Sequence, residues 1–417
     1  MKQTIFIYTL LISCFIGTAT AQNLRNEILQ SPEKMGSIYY AYPKPNGVQT
    51  PVPKGYTPFY VSHYGRHGSR WMTSDERYLE VLDIFEKEQN NLTALGEDVR
   101  QRLYKVWEDA QGRGGDLTPL GERQHKAIAK RLYKNYPQLF KKDAKVLANS
   151  STSPRCIISM AAFCEQLKEL NPSLQIIREA SKRNMSYIAY TSPQHEQLYS
   201  EDTPWKKEFD KFEAANIHPE RLMKSLFKQP ESIEKPVKLM QGLYWIAADM
   251  QDVELPVTFY DIFENEELFN IWETVNYRMY VCNGNCPINE GIAPLSATSL
   301  LKNIIESADK AIQEQTPYAD LRFGHDTNLI RLLALMQVEG CNNQETDPKK
   351  YYQAWQDFRI SPMGANLQLI FFKNKKGEVI VKLLHNENEV RLPLGSPTAK
   401  PYYKWEQVKT LYKSIIN

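Results

Sequence analysis

Phe59-Tyr60-Val61-Ser62 opens an apolar, strand-like run over 58–64 that leads directly into Arg66-His67-Gly68-Ser69-Arg70. A histidine between two arginines thus sits at the C-terminal end of a strand, which in open α/β sheets is where ligands bind. Two guanidiniums beside one imidazole suit a phosphate dianion, because the forked donors of arginine match phosphate oxygens. A neutral imidazole in that setting can attack phosphorus and carry the phosphoryl group covalently. Gly68 removes a side chain where the backbone turns and a ligand must approach. The plain alternative is a solvated basic turn. Average composition gives Arg-His-Gly-any-Arg by chance in roughly one chain in a thousand of this length, which disfavours it.

The same strand, polar loop, helix pattern recurs twice further along. Lys145-Val146-Leu147-Ala148 reads as a strand ending in Asn149-Ser150-Ser151-Thr152-Ser153-Pro154-Arg155. Ser153 there is placed as a helix cap and Pro154 as the first helical residue. Arg155 then falls in the first turn, where a cation opposes the helix dipole unless it is aimed at an anion held on that N-terminus. Ala319 to Gly324 reads as a third strand, followed by His325-Asp326-Thr327-Asn328 and an apolar helix over 329–335. Between these junctions the pattern predicts helices near 75–89, 96–110 and 119–136, the last capped by Thr118 with Pro119 behind it. A short strand is expected at 174–178, and strands at 366–372, 378–384 and 389–392 precede a helix near 403–415.

These elements describe an α/β fold with a sheet flanked by helices. Residues 22–57, rich in Pro, Tyr and Gly, read as an extended N-terminal wrap. From 181 to 316 few β-branched runs appear, and amphipathic stretches at 205–228, 233–250 and 296–315 predict an inserted, mostly helical cap. The expected division is therefore 1–21 signal peptide, 22–180 first part of the α/β domain, 181–316 cap, and 317–417 second part.

The signal peptide rests on Lys2, an apolar run from Ile5 to Gly17, and Thr18-Ala19-Thr20-Ala21 before Gln22. Cleavage after Ala21 would send the chain to the periplasm or outside the cell. Leu11-Ile12-Ser13-Cys14 offers an alternative, a lipoprotein site that would leave a lipid on Cys14. The apolar run falls short of the roughly 20 residues of a membrane span, and no later stretch qualifies. Hydrophobic residues make up 42% and charged residues 24%, so the chain is globular. A net charge of +2 lacks the concentrated basic excess of a nucleic-acid binder. Beyond the signal stand Cys156, Cys164, Cys282, Cys286 and Cys341. An oxidising compartment permits disulfides, and the Cys282-Asn283-Gly284-Asn285-Cys286 turn is the expected place for one. A structural zinc site lacks a second Cys/His pair at matching spacing.

Three strand ends thus supply Arg66, His67, Arg70, Arg155, His325 and Asp326. In a phosphoryl transfer His67 would attack, the three arginines and His325 would hold the phosphate, and Asp326 would protonate the leaving alcohol and then activate water. This requires His67 neutral and Asp326 protonated with substrate bound, which predicts an acidic optimum and needs no metal or cofactor. Each residue has a plainer alternative: Asp326 as a helix cap, His325 as a satisfied strand-end histidine. Neighbouring residues on an extended strand face opposite ways, so His325 and Asp326 make a poor metal pair. His63, His125, His195, His218 and His385 show no ligand spacing and are given no chemistry. The serines at 150–153 lack the G-x-S-x-G of a nucleophile elbow.

The joint pattern resembles that of the histidine acid phosphatases, the two-domain branch of the histidine phosphatase superfamily. Members carry R-H-G-x-R near the N-terminus, an arginine after the next polar strand-to-helix loop, and His-Asp near the C-terminus. Here these are Arg66 to Arg70, Arg155, and His325-Asp326; Leu117-Thr118-Pro119-Leu120-Gly121-Glu122-Arg123-Gln124 also matches a family segment. The resemblance spans the mature chain. It implies a phosphohistidine intermediate and a helical cap that shapes substrate choice, with inositol phosphates such as phytate or other small phosphate esters as substrates. Two departures stand out. Trp71-Met72 replaces the continuation R-H-G-x-R-x-P, and His325-Asp326 stands where multiple inositol polyphosphate phosphatases often have His-Ala-Glu. Phytate would need further basic residues at the pocket, for which Lys182 and Arg183 are the candidates. The alternatives are a non-catalytic phosphoanion-binding protein on the same fold and a mutase, the latter opposed by secretion.

Overall fold

The structure, a computed structural model, describes residues 22–395 and 401–416. The expected signal peptide and Cys14 lie outside the described residues. A mixed sheet runs in the order β3-β2-β4-β1-β5-β6-β7, with β8 pairing β6. Its strands are β1 (Tyr56–Arg66), β2 (Lys145–Ser150), β3 (Gln175–Glu179), β4 (Ala319–Gly324), β5 (Asn366–Asn374), β6 (Val379–His385), β7 (Asn388–Glu389) and β8 (Tyr402–Lys404). β1 to β4 are parallel, while β5 turns back against β1.

Both faces of the sheet are covered, as a largely parallel sheet requires. On one face Val61, Val146, Leu321, Phe323 and Ile370 meet the Pro119–Asn135 and Pro154–Leu170 helices. On the other, Tyr60, Tyr64, Leu369 and Phe371 meet Thr298–Glu314, Asp326–Leu335 and the C-terminal Trp405–Ile416 helix. The β1 and β4 side chains alternate between these faces, so Asp320 and Arg322 of β4 point the other way from Leu321 and find Tyr60 Oη (2.7 Å) and Ser62 Oγ (3.0 Å).

A third apolar cluster forms a helical layer over the C-terminal ends of the strands' loops. It is drawn from distant stretches: the N-terminal segment, the Glu76–Lys87 and Ala94–Ala110 helices, the Pro236–Asp249 and Asn265–Asn283 helices, and Tyr352 to Met363. The Asn265–Asn283 helix, 19 residues long, is absent from the sequence-based expectation. It is buried on nearly every side, so its sequence lacks the one-sided apolar stripe by which helices are recognised. The expected run at 205–228 is two helices, Pro204–Asn216 and Glu220–Leu226, broken around Pro219.

Two further expectations are corrected. All five described cysteines are free and buried. Cys282 closes the long helix with its Sγ toward Leu198 O, while Cys286 turns toward Tyr351 Oη, each at 3.8 Å, so the two thiols face different neighbours. Strand pairing at 389–392 is limited to Asn388 and Glu389.

Gly68 serves packing between backbones, where ligand approach was expected. A Cβ on it would lie 2.4 Å from Gly121 O, and one on Gly121 would lie 2.2 Å from Ser69 O. The motif loop and the start of the Pro119–Asn135 helix therefore touch main chain to main chain. Gly121→Ala should push them apart and cost about 1–3 kcal/mol. The check is the urea midpoint at unchanged m-value; a variant with the original midpoint would mean that the loop yields freely.

Candidate active site

The parallel register assembles the site. Arg66 lies beside Gly324 in the β1–β4 ladder, and Ser150 beside Phe323 in the β2–β4 ladder. Three neighbouring strands therefore end level, and the residues that follow them converge. His67 is pinned by main chain on two sides: its N–H donates to Gly324 O at 3.0 Å and its carbonyl accepts from Gly364 N at 2.9 Å. The loop beyond it is fixed through Ser69. Its N–H donates to Gln124 Oε1 (2.9 Å), its hydroxyl donates to Asp252 Oδ1 (2.6 Å) and accepts from Gln124 Nε2 (2.8 Å), and its carbonyl accepts from Thr118 N (2.9 Å).

His67, Arg70, Arg155, His325 and Asp326 line a cavity of about 500 Å³ under the helical layer. His67 Nδ1 faces Gly68 O at 2.9 Å; a carbonyl only accepts, so Nδ1 carries the proton and Nε2 keeps its lone pair. Burial, reinforced by Arg66, Arg70 and Arg155, holds the His67 pKa well below the ordinary imidazole value. The ring is a neutral nucleophile well into the acid range. His325 stands against it with ring centroids 5.8 Å apart. Its Nε2 meets Ser151 Oγ at 3.2 Å and Cys156 Sγ at 3.8 Å, and burial followed by Arg155 lowers its pKa to about 4.

Arg66 is fully buried behind this surface and does not line the cavity. Its Nη1 donates to Ile38 O and Ser361 O, each at 2.6 Å, and its Nη2 pairs with Asp326 Oδ2 at 3.2 Å. Arg70 donates through Nη1 to Tyr39 Oη (3.0 Å) and Trp71 O (2.8 Å). The Nε–H groups of Arg66, Arg70 and Arg155 are buried with no acceptor among the described residues. Burying a polar group unpaired costs on the order of 1–3 kcal/mol, so this cluster is complementary to an anion with several acceptor oxygens. Asp326 is the first residue of its helix, with His325 at the cap position, and its Oδ1 accepts from Thr327 N at 2.7 Å. Burial would raise its pKa, but Arg66 and His325 outweigh that and hold it below the ordinary carboxylate value. It is therefore ionised in the free protein.

The basic residues expected at the pocket are corrected. Lys182 and Arg183 do not line it, and Arg183 is spent on Glu179 at 2.7 Å. Arg77 and Arg278 line it instead, from the first helix after the motif and from the long helix missed in the sequence reading. Both are exposed and neither pairs with a carboxylate among the described residues. Ile38, Tyr39, Ser151 and Asp252 also fall outside the candidate residues, while Gln124 closes the Leu117–Gln124 family segment. Only Ser151, in the polar loop after β2, carried a local signal. Ser153 occupies its expected cap position without making the side-chain bond, and Pro154 and Arg155 follow as expected. Among the described residues no three His, Cys, Asp or Glu side chains are grouped as around a metal ion, and no helix is long and apolar enough to cross a membrane.

Comparison with known proteins identifies the family and the fold. The family model described as "Histidine phosphatase superfamily (branch 2)" matches residues 65–386. Multiple inositol polyphosphate phosphatase 1 of Gallus gallus is 22% identical over 409 residues, 89% of this chain and 85% of that one. Among solved structures, multiple inositol polyphosphate phosphatase of Bifidobacterium longum, in complex with inositol hexasulfate, superposes with a TM-score of 0.70 at 17% identity, covering 91% of this chain and 97% of that chain. The phytase from D. castellii gives 0.67 at 16% identity over 93% and 85%. At these identities the structural likeness is one of fold.

Burial and, after it, the Arg155, Arg66 and Arg70 guanidiniums lower the His325 pKa, so an anion that offsets those cations should raise it. The His325 ring proton, followed by NMR, should titrate near pH 4 in the free protein. Inorganic phosphate should move that titration upward by at least about one pH unit, worth about 1.4 kcal/mol of added attraction. An unmoved titration under saturating phosphate would place the anion elsewhere.

Proposed function

The chain belongs to branch 2 of the histidine phosphatase superfamily, and we propose that it hydrolyses phosphate monoesters through a phosphohistidine on His67. The observation that carries this reading is the neutral His67 imidazole, with Nδ1 engaged by Gly68 O, in a cavity to which Arg70 and Arg155 bring buried Nε–H donors without an acceptor among the described residues. His67 Nε2 attacks phosphorus as the ester P–O bond breaks, and the leaving oxygen takes a proton from Asp326. Water then attacks the phosphohistidine, gives its proton to Asp326, and releases inorganic phosphate and neutral His67. Arg70, Arg155 and His325 hold the equatorial oxygens, while Arg66 sets the field from behind and orients Asp326.

Asp326 is ionised in the free protein, so its proton must arrive with the substrate. A phosphate monoester loses its second proton near pH 6. Below that the bound monoanion brings the proton, and the added negative charge offsets the pull of Arg66. Substrate choice follows from the rim. Arg77 and Arg278 are unpaired cations on opposite helices of a cavity of about 500 Å³, a size suited to a small molecule. Together with relatives named for inositol polyphosphates, they favour an inositol polyphosphate such as phytate over a simple monoester. The helical layer, in which the Glu76–Lys87 and Ala94–Ala110 helices join the Pro236–Asp249 and Asn265–Asn283 helices of the expected 181–316 cap, would shape this choice. The signal-like sequence at 1–21 supports action in the periplasm or outside the cell.

Purified protein with EDTA present should release phosphate from phytate and p-nitrophenyl phosphate, with kcat/KM falling as pH rises through about 6. Rates that climb into the alkaline range would sink the proton route. Asp326→Asn should slow phytate about 100-fold or more but p-nitrophenyl phosphate much less, since its phenolate leaves without a proton. Equal losses on both esters would remove the acid role. Arg77→Ala and Arg278→Ala should each raise KM for phytate severalfold and leave p-nitrophenyl phosphate unchanged; equal effects would deny them substrate selection.

A further inference from the structure

The segment Pro32–Tyr39 lies outside the 65–386 stretch matched by the family, yet two of the motif's guanidiniums end on it. Arg66 Nη1 donates to Ile38 O at 2.6 Å. Arg70 Nη1 donates to Tyr39 Oη at 3.0 Å, and its guanidinium carbon sits 4.6 Å from the centroid of the Tyr39 ring. Ile38 and Tyr39 also line the cavity that holds His67.

This strap is held in one shape from three sides. Tyr244 Oη donates to Met35 O at 2.6 Å, and Gln251 spans it, accepting from Ala41 N (3.0 Å) and donating to Glu33 O (3.2 Å). Ser37 adopts φ 59°, ψ −136°, a left-handed conformation costly for a residue with a Cβ. Its hydroxyl donates to the buried carboxylate of Asp357, which also takes Trp272 Nε1 at 3.0 Å and Phe358 N at 2.7 Å. Trp245 packs against the Tyr39 ring at a tilt of 49°, centroids 5.3 Å apart. The strained turn at Ser37 is what swings Ile38 O and the Tyr39 side chain toward the arginines.

We propose that the Ile38–Tyr39 strap is a working part of the phosphate site, with Tyr39 the positioning residue for Arg70. Arg70 is buried among like charges, and its Nε–H is aimed by where Nη1 is held. The Tyr39 hydroxyl and ring fix the guanidinium plane, one as acceptor and the other as the face it stacks on. This rests on the reading of the cluster as a phosphate site, not on the identity of the ester.

Tyr39→Phe, made in the full chain, keeps the ring and removes the acceptor. Inorganic phosphate, titrated by calorimetry, should bind about tenfold more weakly, the usual worth of a hydrogen bond to a charged group. kcat/KM should fall by a similar factor on p-nitrophenyl phosphate and phytate alike, with the thermal midpoint of the ligand-free protein unchanged. In an Arg70→Lys background, Tyr39→Phe should cause no further loss, because the pair acts as one unit. Phosphate affinity within twofold of the original protein would overturn the proposal, as would a full additional loss in the Arg70→Lys background. A lowered thermal midpoint with intact phosphate affinity would also overturn it, leaving Tyr39 a packing residue. Should the unaltered protein hydrolyse no ester while Tyr39→Phe still loses phosphate affinity, the phosphatase reading fails and the strap stands.

Discussion

Three guanidiniums share one buried site with a single paired carboxylate, and the rest of the structure is organised around that imbalance. Like charges at such range repel strongly wherever water is excluded. Burial first, and these cations after it, keep His67 neutral and lower the His325 pKa to about 4, while Arg66 keeps Asp326 ionised although burial opposes it. A second rank of carboxylates stands behind the arginines without cancelling them. Burial pushes Asp249 up to about 7, Asp357 up to about 6, and Asp252 well above its ordinary value. Such groups accept hydrogen bonds from Tyr78, Trp272 and Ser69 more than they supply full negative charge. The cluster therefore remains cationic at acid pH, where a phosphate ester carries the proton its leaving group requires.

Holding cations together demands a rigid frame, and the sheet supplies it. Parallel pairing in level register ends β1 and β4 side by side at Arg66 and Gly324, so the spacing of His67 and His325 is set by the ladder and not by loop conformation. The loop after His67 is then clamped from outside. Gly68 and Gly121 allow the main chain of a helix to press against it, and Ser69 spends its polar atoms on Gln124, Asp252 and Thr118. A side chain at either glycine would enter the space those hydrogen bonds need.

What the sequence made legible was whatever has a local cause. β1, β4 and the strand before Arg155 are readable because short apolar runs end in polar, cap-rich junctions, and the candidate site residues follow those junctions directly. The Pro119–Asn135 helix was readable from Thr118 and Pro119. What was not legible depends on contacts distant in the chain. The Asn265–Asn283 helix is enclosed, so burial erased the periodicity that would have marked it. Arg278 sits on that helix and shares its silence, whereas Lys182 and Arg183 stand out in the sequence because they follow a strand, though Arg183 is spent on Glu179. The Cys282–Cys286 spacing suggested a bridge, but the end of that helix turns the two thiols to different neighbours. Gly68 was read as room for a ligand because sequence cannot reveal that Gly121, far along the chain, occupies the space.

The helical layer and the candidate site are thus joined by polar threads as well as by the apolar packing of Trp71 and Met72. Asp252, at the end of the Pro236–Asp249 helix, reaches Ser69 of the motif; Asp249 reaches Tyr78, whose hydroxyl accepts from Met72 N at 2.8 Å just beyond Arg70. Tyr244 and Gln251 of the same region clamp the strap that holds Arg66 and Arg70. One helix of the layer therefore fixes the motif loop from behind and the arginine tips from the front. Because each thread is buried, breaking one leaves a polar group unpaired, a cost on the order of 1–3 kcal/mol that favours moving the arginines over tolerating the gap. Residues that line no part of the cavity can thus set how tightly an anion is held there, through the bonds by which the layer meets the motif loop.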